Sequence, residues 1–370
     1  MGVIDPVGDV DTYSFEGTPG QFIVINVDRV RMSDVDPVAE LYDSSRTLVA
    51  AVDDVGPPEL GDRDAEIIYR IVTPGQHFIR VYDWHTWSPD SPAPEGGPTY
   101  TYRLKVRLVD PANNELEAID EERGDTLADA LSVYSSTRSE PLIGGAFEHE
   151  GDIDAFRFDL TTNALLRADI MPAGIPGYGS TASTTRIVIT STMGVEAIAS
   201  LPELDRAGVH VHAGTHYLLA EHTGGALGVN PFYVLKVDLR RLPNAATEPS
   251  AEDNDTLERP APFPLRVGQP SQILGTLPEG DVDFFRLDEP QGAQHIYVWC
   301  GSRSWGSGVG GLAIELYDPQ LNLLVRDTET TTGEASLNRL PIPLDGHILG
   351  IRRGPQQPDN PSVFYICELN

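Results

Sequence analysis

One octapeptide pattern occurs three times in this chain: GDVDTYSF at 8–15, GDIDAFRF at 151–158 and GDVDFFRL at 280–287. Successive copies start 143 and 129 residues apart. A period of that length is the size of a small domain and far too long for a solenoid repeat. The chain has 370 residues, and a prior of about 100–200 residues per domain agrees with three like modules.

Other landmarks recur in the same order after each Gly-Asp-x-Asp-x-aromatic start. Midway stand AELYDSSRTLVAAVDD (39–54), RIVITSTMGVEAIAS (186–200) and IELYDPQLNLLVRDT (314–328), each read as strand, turn, strand. Next come PGQHFIRVYD (74–83), HAGTHYLLAEH (212–222) and DGHILGIRR (345–353), each opening at a glycine as a strand leaving a tight turn does. Last come TYTYRLKVRL (99–108), NPFYVLKVDL (230–239) and NPSVFYICEL (360–369). They alternate with period two and are rich in β-branched and aromatic residues, a strand signature. Short strands punctuated by 35 Gly and 30 Pro point to an all-β sandwich or barrel. The helix-like stretches DTLADALSV (125–133) and DTLERPAPF (255–263) are long enough for about one turn each.

Charge narrows the function classes. The chain carries 26 basic and 56 acidic residues, a net charge of −30. Such a surface repels nucleic acid, whose binding needs Lys and Arg to displace counterions, and favours solubility and cations. No apolar run is long enough for a transmembrane helix, which takes about 20 residues. The first residues show neither a basic nor an apolar segment of a signal peptide. Cys300 and Cys367 both lie in apolar runs of the last third. They read equally as a disulfide of an oxidising compartment or as two buried thiols.

Polar, acidic stretches at 110–124 and 241–254 separate the modules, giving expected boundaries of 1–110, 115–241 and 248–370. The second and third modules have a further strand-like stretch before the octapeptide, PLIGGAFEHEG (141–151) and SQILGTLPEG (271–280). Only seven residues precede Gly8, so the first module is expected to be N-terminally incomplete, lacking an acidic lead-in and one strand. Either the sequence is truncated, or a neighbouring chain supplies the strand at an exposed edge.

These features together resemble a known family. An acidic lead-in (Glu252-Asp253-Asn254-Asp255-Thr256), a Gly-x-Leu/Ile strand, the Gly-Asp-x-Asp-x-aromatic start, Leu-Tyr-Asp and a Gly-led aromatic strand resemble the bacterial pre-peptidase C-terminal domain. The collagen-binding domains of secreted bacterial collagenases are similar. The resemblance covers nearly the whole chain as tandem copies and is fullest in the third. It implies jelly-roll-like β-sandwiches, secretion, non-catalytic attachment to larger secreted proteins, and calcium at the lead-in.

Calcium takes six to eight oxygen ligands. The third module offers Glu252, Asn254, Asp255, Asp281 and Asp283. Residues i and i+2 of a strand share a face, so Asp281 and Asp283 converge if the lead-in folds back over them, as the resemblance implies. The second module offers Glu122, Asp125, Asp152 and Asp154, with Arg123-Gly124 in place of Asp253-Asn254. The first keeps Asp9 and Asp11 without a lead-in, and no full site is expected there. The competing reading is that each aspartate simply caps a turn.

Other constellations carry less. His210, His212, His216 and His222 cluster, but His216 falls where His77 and, with a one-residue shift, His347 fall in the other copies, which reads as structure. The serine-rich GSRSWGSGVGG (301–311) lacks a nucleophile-elbow pattern and reads as a flexible loop. No catalytic residues stand out. Trp84 and Trp87, in a loop between strands, and Trp305 are candidate ligand anchors. The expected protein is therefore a non-catalytic extracellular or cell-surface binding or spacer protein, stabilised by Ca2+, with a protein or polysaccharide partner. Two alternatives stand beside it: a surface-layer or filament subunit that self-assembles by strand addition through the first module, and a secreted hydrolase with an unrecognised site.

Overall fold

The computed structural model describes residues 1–53, 64–109, 125–132, 142–171, 180–182, 184–200, 206–240, 246–247, 254–266, 270–288, 297–309, 311–329, 334–338, 340, 344–353 and 361–370. Among these residues the chain is almost entirely β, with one four-residue α-helix, α1 (Trp84–Trp87).

Six sheets form, two from each successive stretch of chain. In the first stretch, β1 (Gly2–Val3), β3 (Phe22–Arg29), β6 (Ala65–Arg70) and β8 (Thr101–Val109) pair in the order β1-β8-β3-β6. Its second sheet is β2-β7-β4-β5, from β2 (Asp11–Gly17), β4 (Pro37–Tyr42), β5 (Leu48–Val52) and β7 (Gly75–Asp83). The middle stretch repeats this with β10 (Leu142–Ala146), β12 (Ala164–Met171), β15 (Arg206–Val211) and β17 (Phe232–Arg240), ordered β10-β17-β12-β15. Its second sheet is β14-β13-β16-β11-β9, from β9 (Leu131–Ser132), β11 (Ile153–Leu160), β13 (Thr185–Ser191), β14 (Gly194–Ser200) and β16 (Gly214–His222). The last stretch gives β18-β20-β27-β22-β25, from β18 (Ala246–Thr247), β20 (Ser271–Thr276), β22 (Tyr297–Gly301), β25 (Glu334–Asn338) and β27 (Phe364–Leu369). Its partner sheet is β19-β21-β26-β23-β24, from β19 (Ala261–Pro264), β21 (Val282–Asp288), β23 (Ala313–Tyr317), β24 (Leu323–Thr328) and β26 (Ile348–Arg352). One eight-strand topology thus recurs three times, and each occurrence is called a unit below.

Period-two patterning explains the layers. In β7 the side chains of His77, Ile79 and Val81 are buried while the residues between them are partly exposed; β16 repeats this with His216, Leu218 and Ala220. Each unit encloses its own apolar core between its two sheets, around Ile25, Leu41 and Ile67 in the first, Phe158, Leu166 and Ile189 in the second, and Ile273, Leu316 and Leu349 in the third. The Leu-Tyr-Asp motif is a hairpin device. Asp43 accepts hydrogen bonds from the N–H groups of Ser45 and Thr47, and Asp318 from those of Gln320 and Asn322. A bulge falls at the matching place in all three hairpins, after Leu41, Ile189 and Leu316.

The units are packed against one another. Phe232 of the second meets Phe22 and Tyr69 of the first edge-on, and Lys236 pairs with Glu66 at 2.5 Å. Between the second and third units, Gly208 N–H donates to Gly306 O at 3.0 Å and Ser362 Oγ donates to Gly208 O at 2.7 Å.

Several expectations are corrected. The first unit does not lack its leading strand: Gly2–Val3 occupies it as β1, pairing Gly2 with Tyr102 as Gly145 pairs with Tyr233 and Gly275 with Tyr365. The helix-like stretches form a hydrogen-bonded turn, closed by Arg259 N–H on Thr256 O and Asp129 N–H on Thr126 O, and then run into the short parallel strands β19 and β9. The serine-rich loop is pinned rather than loose. The buried Glu329 carboxylate accepts N–H bonds from Ser302, Arg303 and Leu312. Trp305, offered as a ligand anchor, is only 7% exposed. It packs with Leu165, Leu274 and Phe364 beneath the guanidinium of Arg240, 4.4 Å from its ring, so it anchors one unit to another. Cys300 and Cys367 stand opposite each other on β22 and β27 and form a disulfide.

Candidate metal centre

The Gly-Asp-x-Asp starts lie at one end of β2, β11 and β21. Locally they are built alike. A glycine with positive φ (Gly8 74°, Gly151 80°, Gly280 85°) turns the chain into the strand. The first aspartate then accepts the N–H of the next residue: Asp9 from Val10 at 2.9 Å, Asp152 from Ile153 at 3.0 Å and Asp281 from Val282 at 2.7 Å. That much is the turn-capping reading.

The second aspartate has a different partner. Asp11, Asp154 and Asp283 each accept a hydrogen bond from a tyrosine of the unit's final strand, Tyr102 at 2.5 Å, Tyr233 at 2.7 Å and Tyr365 at 2.8 Å. The three tyrosines are fully buried. They reach the aspartate by lying across a glycine of the leading strand. A Cβ on Gly2, Gly145 or Gly275 would come within 2.2–2.3 Å of the tyrosine ring or its oxygen. A Gly–Tyr–Asp node therefore ties the two sheets together in every unit. Burial, and after it the Asp11 carboxylate, holds the Tyr102 hydroxyl above its ordinary pKa, so it stays a donor. The node had a sequence signal that passed unused: the glycine and the tyrosine each recur at matching places in the three copies.

In the third unit the described end of the lead-in, from Asn254 on, folds back onto the strand. Phe284 N–H donates to Asn254 O at 2.9 Å, and Asn254 Nδ2 donates to Asp283 Oδ1 at 2.9 Å. Asn254 is 1% exposed, and its side-chain carbonyl has no hydrogen-bond partner. A buried amide oxygen without a donor is costly, and it is also the kind of ligand calcium takes. Asp255 is exposed at the surface, and Glu252 lies outside the described residues.

In the second unit carboxylates crowd. Asp125, His149 and Asp152 each place a ligand atom within 4.8 Å of the others. Asp152 is 1% exposed and also accepts Glu148 N–H at 2.8 Å. Desolvation of its carboxyl, then the charges of Asp152, Asp154 and Asp125, push the pKa of Glu148 up to about 8. Glu148 is exposed at the surface, and like charges held close together favour its neutral form. Glu148 was not among the sequence candidates, and Glu122 lies outside the described residues. In metal-free protein the sign is definite. A carboxyl whose folded pKa is raised stabilises the fold below its ordinary pKa, and that contribution fades as pH rises toward about 8. The second unit is therefore expected to melt at a falling temperature between about pH 5 and pH 8 when metal-free, with Glu148→Gln flattening the slope. A slope unchanged in that variant removes Glu148 as its source.

The histidines fall to structure. His216 is buried, with Nδ1 2.9 Å from Glu196 and Nε2 2.9 Å from the carbonyl of His212. Burial, then His212, lowers the pKa of His210.

Comparison with known proteins finds one family that matches part of the chain. The sequence model of the family described as the bacterial pre-peptidase C-terminal domain matches residues 9–83, from the first octapeptide aspartate to the last residue of β7. The match falls on the first copy, not on the third where the resemblance had looked fullest. No curated protein matches the chain. Among solved structures, the CUB1-EGF-CUB2 domains of rat MASP-1 are 7% identical, covering 62% of this chain and 97% of that one with a TM-score of 0.20. A putative secreted protein from Eubacterium rectale is 8% identical, covering 69% and 84%, with a TM-score of 0.20. The M60 catalytic domain with CBM51-1 and CBM51-2 domains of Clostridium perfringens ZmpB is 8% identical, covering 98% and 54%, with a TM-score of 0.21. Scores this low carry no inference about function.

Proposed function

We propose that this chain is a non-catalytic extracellular binding or spacer protein built from three pre-peptidase C-terminal-like modules, at about residues 1–110, 115–241 and 248–370, and stiffened by calcium at the lead-ins. The observation that carries the reading is the end of each sandwich where the second and third modules gather acidic side chains. There the lead-in of the third module is stitched onto β21 through Asn254, and the second collects Asp125, Glu148, Asp152 and Asp154. Such an end is a place for an oxygen-seeking cation to tie a linker to a sheet, not a place to turn over a substrate. Asp281 and Asp283 with Asn254, Asp255 and Glu252 would supply one ion; Asp125, Asp152 and Asp154 with Glu148 and Glu122 the other. The disulfide fits an oxidising compartment, and among the described residues no helix is long and apolar enough to cross a membrane. Trp87, 42% exposed on the one-turn α1, is an aromatic available to an extracellular protein or polysaccharide partner, with Trp84 half-buried beside it. Calorimetric titration of metal-free protein with Ca2+ tests the assignment. Saturable heat is expected, reduced to one site or fewer by Asp152→Asn and separately by Asp283→Asn, with protons released on binding. Absence of saturable binding refutes it.

A second reading has one observation in its favour. β1 covers only Tyr102 and Thr101 of β8, and Val106 and Leu108 farther along β8 are about 40% exposed. Strand addition there would build a surface-layer or filament subunit. Concentration-dependent polymers in dilute solution favour it; a monodisperse monomer favours the spacer.

A further inference from the structure

The first module, from which no metal site was expected, carries a different kind of ligand set. Asp83 ends β7 and is fully buried. Its Oδ2 accepts Asp36 N–H at 2.9 Å, and its Oδ1 accepts His85 N–H at 2.9 Å, capping α1. The same Oδ1 stands 2.8 Å from His85 Nδ1. Glu95 reaches the same ring nitrogen, its Oε2 3.7 Å from His85 Nδ1. Tyr100 Oη donates to that Oε2 at 2.6 Å and fixes the carboxylate. The loop is sewn to the start of the chain by Gly97 N–H on Ile4 O at 2.8 Å and Gly8 N–H on Glu95 O at 3.1 Å.

We propose that Asp83 Oδ1, His85 Nδ1 and Glu95 Oε2 form a three-ligand site for a divalent transition-metal ion of the zinc class, with water completing the coordination. The three ligand atoms lie within 4.8 Å of one another. Tetrahedral ligands about 2.0–2.2 Å from zinc stand roughly 3.3 Å apart, and the two distances on His85 Nδ1, 2.8 and 3.7 Å, bracket that spacing. One proton on Nδ1 can satisfy only one of the two carboxylates; a dication between the three satisfies both. The imidazole nitrogen sets the ion class, because calcium and magnesium take oxygen ligands. The hydrogen bonds from Asp36, His85 N–H and Tyr100 are the outer layer that orients the ligands of a built site. Access is open on one side, with the His85 and Glu95 side chains 26% and 46% exposed. The site is private to the first module. Asp11, Asp154 and Asp283 face Val81, Ala220 and Ile351; two residues beyond these, the position of Asp83 is held by His222 in the second and Arg353 in the third. It is independent of the calcium assignment.

Titration of the metal-free full chain with Co2+ tests the proposal. The expected result is one equivalent with the visible absorption of four-coordinate cobalt, displaced by Zn2+ and unaffected by excess Ca2+. His85→Ala should abolish the band, Glu95→Gln should weaken Zn2+ binding at least about tenfold, and Tyr100→Phe should weaken it by about tenfold while keeping the band. The His210→Ala/His212→Ala double variant should bind like the parent. No stoichiometric binding by the parent, or binding unchanged in both His85→Ala and Glu95→Gln, overturns the proposal. Glu95 lies on an exposed loop, so its variant keeps the test valid should His85→Ala fail to fold.

Discussion

Gly275→Ala is expected to cost the third unit about 3–5 kcal/mol, the sum of overpacking and of losing a hydrogen bond to a buried carboxylate. The added methyl would sit 2.3 Å from Tyr365 Oη and 2.4 Å from its Cζ. The ring cannot retreat, because Tyr365 is fully buried in the core with Ile273, Leu349 and Cys367. Moving it would break the 2.8 Å bond to Asp283. Tyr365→Phe isolates the second part and should cost about 1.5–3 kcal/mol. Urea unfolding of the two variants measures both terms. A loss under about 1 kcal/mol in Gly275→Ala would mean that the node is a geometric coincidence and not a tie between sheets.

Removing the disulfide should be comparably severe. Cys300 and Cys367 are 67 residues apart in sequence, and both are completely buried. Opening a loop of that length restores about 4 kcal/mol of unfolded-chain freedom on the chain-entropy account, within the range of about 2–5 kcal/mol for native disulfides of small secreted domains. The Cys300→Ala/Cys367→Ala pair is expected to lower the melting temperature of the third unit by about 15 °C or more. The first two units, which hold no cysteine, should keep their own transitions. A third-unit transition that does not move in the double variant removes the disulfide from the account of its stability.

Much of this protein was legible in sequence for a definite reason. Strands buried on one face alternate with period two, and three copies of one pattern mark the same strands in the same order. The octapeptide, the Leu-Tyr-Asp hairpin and the Gly-led strand all fell where expected. What escaped was of three kinds. β1 is two residues long, too short to show any period. The disulfide depends on β22 and β27 being neighbours in register, which composition cannot supply. Trp305 was misjudged because its partners Arg167 and Arg240 come from another unit, and a loop aromatic looks the same whether it faces water or a neighbour. The candidate site was legible as a class of residue at the right end of the right strands. Its membership was only partly so: Asn254 stood among the candidates, but Glu148 did not, since it matters through where a turn places it.

The central claim is that the Gly-Asp-x-Asp ends of the second and third units hold calcium and that the ion stabilises the protein. Differential scanning calorimetry of chelator-stripped protein at neutral pH, with and without added Ca2+, tests it most directly. Calcium at about a hundred times its dissociation constant should add about 2.7 kcal/mol per occupied site and raise the transitions of the second and third units. The transition of the first unit should stay in place. Superimposable traces with and without Ca2+, in protein shown to be metal-free, would contradict the claim.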